Sequence, residues 1–197
     1  MTEQRREPRR PRADALQNRA KIIGVAIEHF RKQGAGASLD AIAKEAGVGV
    51  GTLYRHFPQR DDLIAAVLQT RESALAEQIE TIDSMTDAPA ALHAWMQVLD
   101  DYLARFDGLV DPMSRALMGA ESALAISCAW LVRTTARYLA AAQSAGAVRS
   151  DLTARDLFVL VLASSWVSRS VVADKQSLAS VRQVIRDGIQ IRHQSVA

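Results

Sequence analysis

No proline occurs after Pro112, and only three glycines do. Proline removes a backbone donor and clashes with the preceding turn, and glycine in a helix interior costs about 1 kcal/mol relative to alanine. A long stretch without breakers, rich in Ala, Leu, Arg and Gln, favours helices. The 197 residues hold 10 glycines and 5 prolines, and six of the glycines fall in residues 1–60. The expected fold is all-α, with short glycine-separated helices in front and longer ones behind.

The single cysteine, Cys128, excludes a disulfide framework and a cysteine-based zinc site. His29, His56, His93 and His193 are scattered without ligand spacing, so no metal site is expected. The longest apolar run, Leu157–Ala163, falls far short of the roughly 18 residues that a membrane-spanning helix needs. No apolar stretch follows the N-terminal arginines, which argues against a secretory signal. A soluble, cytoplasmic chain with no membrane partner is the expectation.

The net charge of +2 hides an asymmetry. Residues 1–60 carry 12 basic and 6 acidic residues, and residues 61–197 carry 12 and 16. A head of +6 on a body of −4 is the electrostatic footprint of a nucleic-acid binder, although basic N-terminal stretches are often solvated tails.

Residues 1–12, with Arg9, Arg10 and Arg12 among five arginines, read as a disordered basic arm. A helix is expected from near Asp14 to the Gly34–Ala35–Gly36 breaker, with Ile22, Ile23, Ala26 and Phe30 on one face. Ser38 is placed to cap a second helix that ends at Gly47. A third spans about Val50–His56 and stops at Pro58. A fourth is expected to run unbroken from about Arg60 to Ser84 as the connector to the body. Helices follow over about Ala88–Phe106, Pro112–Met118, Glu121–Ala145, Thr153–Ala173 and Ser177–Arg192, giving about nine in all. Thr153 and Asp156 resemble a capping box, which favours helix over a buried strand for Leu157–Ala163. The division is a head at 13–60 and a body at 61–197.

Two short helices about a glycine turn carry the functional signal. Ala43 allows a close crossing, Gly47 tolerates the positive φ of the turn, and Leu53 points back into the core. Helical spacing sets Tyr54 roughly 100° away from Leu53, towards solvent, while its apolar neighbours leave a core role open. Val50 offers only apolar contact to a thymine methyl, and Gly51 offers none. Arg55 is the one residue of this helix with a guanine-type bidentate donor, its alternative being a surface salt bridge.

The run Ala46-Gly47-Val48-Gly49-Val50-Gly51-Thr52-Leu53-Tyr54-Arg55-His56-Phe57-Pro58, preceded by Ser38-Leu39-Asp40-Ala41-Ile42-Ala43, resembles the TetR family of transcriptional regulators. The resemblance is specific over about residues 15–68. Ala94-Trp95 is similar to the start of the ligand domain in one subgroup. The resemblance implies an all-helical homodimer that binds a palindromic operator in double-stranded DNA through its third helix, with repression relieved by a small molecule. It further implies that Tyr54 and His56 hold the DNA backbone and that Thr52 touches phosphate or a base edge. Arg60 stands where the family often has a phosphate-binding lysine. Ser38 would join phosphate contact to its capping role. Arg9, Arg10 and Arg12 would enter a minor groove or remain a solvated tail. Gly49 replaces a common serine, which removes a side-chain cap from the third helix.

For the body, Leu157, Leu160, Val161 and Trp166 in one helix, with Val181, Val184, Ile185 and Ile189 in the next, are the expected dimer interface. The alternative is burial within one chain. Trp95, Met96, Tyr102 and Phe106, with Met113, Met118, Trp130 and Trp166, are candidates to line a pocket for an apolar or aromatic effector. Their alternative is ordinary core packing. No cofactor motif and no catalytic constellation is present in the sequence, so no enzyme is expected. A helical adaptor without sequence-specific DNA binding would leave the Gly47–Phe57 pattern and the basic head unexplained.

Overall fold

The computed structural model describes residues 11–119, 121–169 and 174–190, with ten helices among them. The head comprises α1 (Pro11–Gln33), α2 (Leu39–Glu45) and α3 (Val50–His56). Two helices, α4 (Arg60–Gln69) and α5 (Glu72–Asp83), lead into the body. The body holds α6 (Ala88–Leu103), α7 (Val110–Leu117), α8 (Ala123–Ser144), α9 (Ala154–Arg169) and α10 (Lys175–Ile189). No helix among the described residues is long and apolar enough to cross a membrane.

The all-α expectation holds, with one difference in the connector. The predicted single helix over Arg60–Ser84 is two, separated at Thr70 and Arg71. Apolar phase continues across the break, so periodicity alone does not reveal it. Two hydroxyls do. Thr70 Oγ1 donates to the Val67 carbonyl at 2.7 Å, and Tyr102 donates from α6 to the Leu68 carbonyl at 3.2 Å. They add to the tight i+3 bonds that the Thr70 and Arg71 amides make to the same two carbonyls, where a continuous helix would make i+4 bonds.

Other boundaries follow local chemistry. The first helix begins at Pro11, three residues before Asp14, as proline's fixed φ suits a first helical position. Residues 11 and 12 are thus helix rather than arm, while Arg9 and Arg10, and the side chain of Arg12, lie outside the described residues. Ser38 caps α2 by accepting from the Ala41 amide. Gln59 and Asp62 form a capping box at α4 that the sequence reading missed. Thr153 and Asp156 form the expected reciprocal cap, and Leu157–Ala163 is helix. The proposed ends of the last two helices, Ser170–Ala173 and Ile191–Arg192, lie outside the described residues.

In the body, α8 lies against α4, α6, α7 and α9, and α6 also packs on α5 and α9. Trp95 is fully buried, tilted over Tyr138 at 5.7 Å, and its indole N–H donates to Thr135 at 2.9 Å. Tyr138 donates to Asp83 at 2.6 Å and Arg137 donates to the other carboxylate oxygen at 3.0 Å. The end of α5 is thereby fastened to α8. Burial and that hydrogen bond raise the Tyr138 pKa, while Tyr138 first and Arg137 second hold the Asp83 carboxyl below its usual range.

Head and body meet at two loops. Gly34 ends α1 with φ +76°, and the Ala35 amide donates to the Asp107 carbonyl in the α6–α7 loop at 2.6 Å. A Cβ on Gly34 would lie 2.7 Å from that carbonyl oxygen. Phe30 and Phe106 meet edge-on beside it at 6.2 Å, and Arg115 of α7 donates to Asp61 of α4 at 3.2 Å.

Two stability predictions follow from these contacts. Gly47 also has positive φ, but a Cβ there meets nothing within 4 Å. In urea unfolding, Gly47→Ala should cost about 1 kcal/mol for backbone strain alone, and Gly34→Ala roughly 2–4 kcal/mol because a clash is added. Equal losses would mean that the head–body contact contributes nothing. Tyr138→Phe should destabilise the chain at neutral pH. Because the Asp83 pKa is depressed in the folded state, that bond stabilises above the unfolded carboxyl pKa and its contribution fades as pH falls below about 4. The gap in melting temperature between wild type and Tyr138→Phe should therefore narrow in acid.

Candidate functional site

The helix-turn-helix is built as its residue types require. Ala43 is fully buried where α2 meets α3, and Gly47 turns the chain in the left-handed region with φ +68°. Leu53 and Phe57 enter the core of the head, and the Arg19 guanidinium covers the Phe57 ring at 5.2 Å. His29 donates from α1 to Glu45 of α2 at 2.8 Å. With one face of α3 held inward, the other is left outward.

Tyr54 lies on that outward face, 44% exposed, so the core alternative is set aside. Val50, Gly51 and Arg55 are exposed beside it, and Thr52 and His56 are half-buried. Gly49 stands at the N-cap of α3 without a side-chain hydrogen bond, as its missing hydroxyl implies. Ser38 is exposed at the start of α2. Arg60 has a structural task that its sequence position did not reveal. Its Nη1 donates to the carbonyls of Ala35 and Ala37, at 2.9 and 2.6 Å. Arg60 thus braces the α1–α2 loop through Nη1, and no hydrogen bond within the described residues engages its Nη2 or Nε.

The eight aromatic and methionine candidates do not converge on one cavity. Trp95 and Met113 are core residues, because both sit on the buried stripes of their helices. Phe106 is buried against Phe30, and Tyr102 is held by its bond to Leu68. Met118 and Trp130 are exposed, and Trp166 is 61% exposed, on helix faces that turn away from the core. Met96 borders the cleft described next. Cys128 is buried, and burial pushes its thiol up to about 11, which disfavours the reactive thiolate.

The expected dimer residues divide likewise. Leu157, Val161 and Ile189 are buried within the chain and have no surface to offer. Val181 and Ile185 are half-buried. Leu160, Trp166 and Val184 are exposed, Val184 at 71%. Val159 and Ala163 join Leu160 and Trp166 on the outward face of α9.

A narrow cleft opens between α6, α9 and α10, and its polar lining was missed in the sequence. Asp100 forms its floor, 4% exposed, in an ion pair with Arg182. Gln97 donates to His93 Nε2 at 3.1 Å on one side. Burial first, and then the Arg186 charge, hold the His93 pKa below its usual value, which favours the neutral ring. A signal was available. Asp100 lies in phase with Leu92, Trp95, Met96, Leu99 and Leu103, the buried stripe of α6, and a carboxylate on such a stripe needs a partner.

Comparison with known proteins places this architecture. Residues 87–191 match the family model described as "Transcriptional regulator SbtR-like, C-terminal domain", and residues 22–67 match that of "Bacterial regulatory proteins, tetR family". The chain is 38% identical over 96 residues to an HTH-type transcriptional regulator of Staphylococcus aureus (strain bovine RF122 / ET3-1), covering 48% of this chain and 50% of that one. The chain spans about half the length of the curated relatives it matches. Among solved structures, a TetR transcriptional regulator from Streptomyces coelicolor is 28% identical, with a TM-score of 0.54 over 88% of this chain and 99% of the other. The regulator FadR from Bacillus subtilis, solved with stearoyl-CoA, shares the fold at 20% identity, with a TM-score of 0.58 over 86% and 98%. With a helix-turn-helix head, a helical body and a family model covering more than half of its length, the chain belongs to the TetR family of bacterial regulatory proteins.

Proposed function

We propose that this protein is a ligand-responsive transcriptional regulator that binds a palindromic operator as a homodimer and represses until an effector enters the body. The observation that carries the reading is the outward face of α3. Tyr54, Val50 and Arg55 stand exposed on a short helix whose opposite side, Leu53, is locked in the core. Such a helix presents its side chains to a major groove without unfolding anything.

In this reading the Tyr54 hydroxyl and the His56 ring hold phosphate oxygens, and Ser38 adds a contact from the start of α2. Thr52 reaches phosphate or a base edge, Val50 meets a thymine methyl, and Arg55 reads guanine. Gly51 lets the DNA backbone approach. Arg60, whose Nη1 braces the α1–α2 loop, offers its remaining guanidinium nitrogens to a phosphate.

The dimer is proposed through the outward faces of α9 and α10. Val159, Leu160 and Trp166 of α9 and Val184 of α10 are large apolar side chains left exposed within one chain, and pairing would cover them. A two-fold pairing of these helices would fix the spacing of two heads, which palindromic DNA tolerates poorly when altered. An effector that changes the packing of α6 against α9 and α10 reaches the head through the α6–α7 loop and its bond to Ala35.

Selection from a random DNA library should enrich an inverted repeat, and failure to enrich any over competitor at moderate salt overturns the reading. Tyr54→Ala should weaken operator binding about tenfold, a loss of roughly 1.4 kcal/mol, with the circular dichroism melt unchanged. Loss of the fold would instead make Tyr54 a structural residue. The double variant Trp166→Asp, Val184→Asp should elute as a folded monomer in light-scattering chromatography. A persistent dimer would move the interface elsewhere.

A further inference from the structure

The cleft between α6, α9 and α10 holds three buried polar atoms that have no hydrogen-bond partner among the described residues: Asp100 Oδ1, Ser164 Oγ and Arg186 Nε. They come from three different helices and line the same space. Asp100 and Ser164 are each 4% exposed, so bulk water does not satisfy them. Buried polar groups are nearly always paired, and an orphan costs its full desolvation. Three orphans converging on one recess point to a molecule that completes them.

Their chemistry describes that molecule. Asp100 Oδ2 takes Arg182, so Oδ1 asks for a donor. Arg186 Nε is a donor and asks for an acceptor, and the Ser164 hydroxyl can serve either way. The Asp100–Arg182 pair is neutral as a unit. Asp101 lies 3.7 Å from Arg182 but stands in solvent, where its charge is screened. No carboxylate among the described residues pairs with Arg186, which leaves one cation uncompensated at the cleft. Met96, Val161 and Ile185 supply an apolar wall between the polar ends.

We infer that this cleft binds a short-chain hydroxycarboxylate, its hydroxyl donating to Asp100 Oδ1, its carboxylate meeting Arg186 and Ser164, and its carbon chain lying against Met96, Val161 and Ile185. The inference rests on the reading of the body as a sensor and gives that sensor a site and a ligand class. It departs from an apolar or aromatic effector because the aromatic candidates fall elsewhere, whereas the unpaired polar atoms fall here. The ligand would bridge α6 to α9 and α10, the helices that carry the proposed dimer surface.

Calorimetry on the full chain tests it, with β-hydroxybutyrate and β-hydroxyhexanoate as probes against butyrate, hexanoate and the neutral diols of the same lengths. At least one hydroxy acid should bind about tenfold or more tighter than both its parent acid and its diol. Ser164→Ala and Arg186→Met should each abolish that preference while melting like wild type in the absence of ligand. Ser164→Ala leaves the Asp100–Arg182 pair intact, so it reads binding where Asp100→Asn would confound binding with folding. No binding by any probe, equal binding of parent acid and hydroxy acid, or unaltered preference in both variants would each overturn the inference. Operator binding is measured on the same protein. If it persists while no probe binds, the ligand site fails and the regulator reading stands. If a hydroxy acid binds and no DNA does, the regulator reading fails and the site stands.

Discussion

The backbone bond from Ala35 to Asp107 is the contact on which the two halves of the molecule depend. It exists because Gly34 turns α1 off in the left-handed region, against a carbonyl too close for any side chain to share. Around it, Phe30 meets Phe106, and Arg60 holds the carbonyls on either side of Gly36. The α1–α2 loop is thus fixed from below by the head and from above by the body. Ala35, the donor of that bond, is itself buried in the core.

A second route runs beside the first. The connector is interrupted at Thr70 and Arg71, and Tyr102 reaches from α6 to the carbonyl of Leu68 at the break. The same helix, α6, carries Asp100 on the floor of the polar cleft. One rigid element therefore touches the cleft, the connector and, through its following loop, the head. Contacts of α6 thus connect the cleft at α9 and α10 with the α1–α2 loop without one continuous helix from end to end.

Several features were legible in the sequence because they are local. Helix caps at Ser38 and Thr153 follow from side-chain reach over three residues, and the Gly47 turn follows from a φ that only glycine adopts cheaply. The outward Tyr54 follows from the 100° step between it and Leu53. The connector break was not legible, because the hydroxyl that completes it arrives from Tyr102, 34 residues away in sequence. Nor could the aromatics be sorted, since Trp95 in the core and Trp166 on the surface differ only in which face of a helix the rest of the chain happens to cover.

The sequence by itself determined an all-helical chain, a helix-turn-helix near its front and a basic head on an acidic body. Those properties depend on breakers, periodicity and charge along the chain, and they need no knowledge of what lies opposite. Tertiary structure alone decided that Arg60 braces a loop, that Leu157, Val161 and Ile189 are spent inside the chain, and that Asp100, Ser164 and Arg186 face one another across a cleft. Each of these depends on which side chains meet across helices distant in sequence. Packing sets that meeting, and periodicity within one helix cannot encode it.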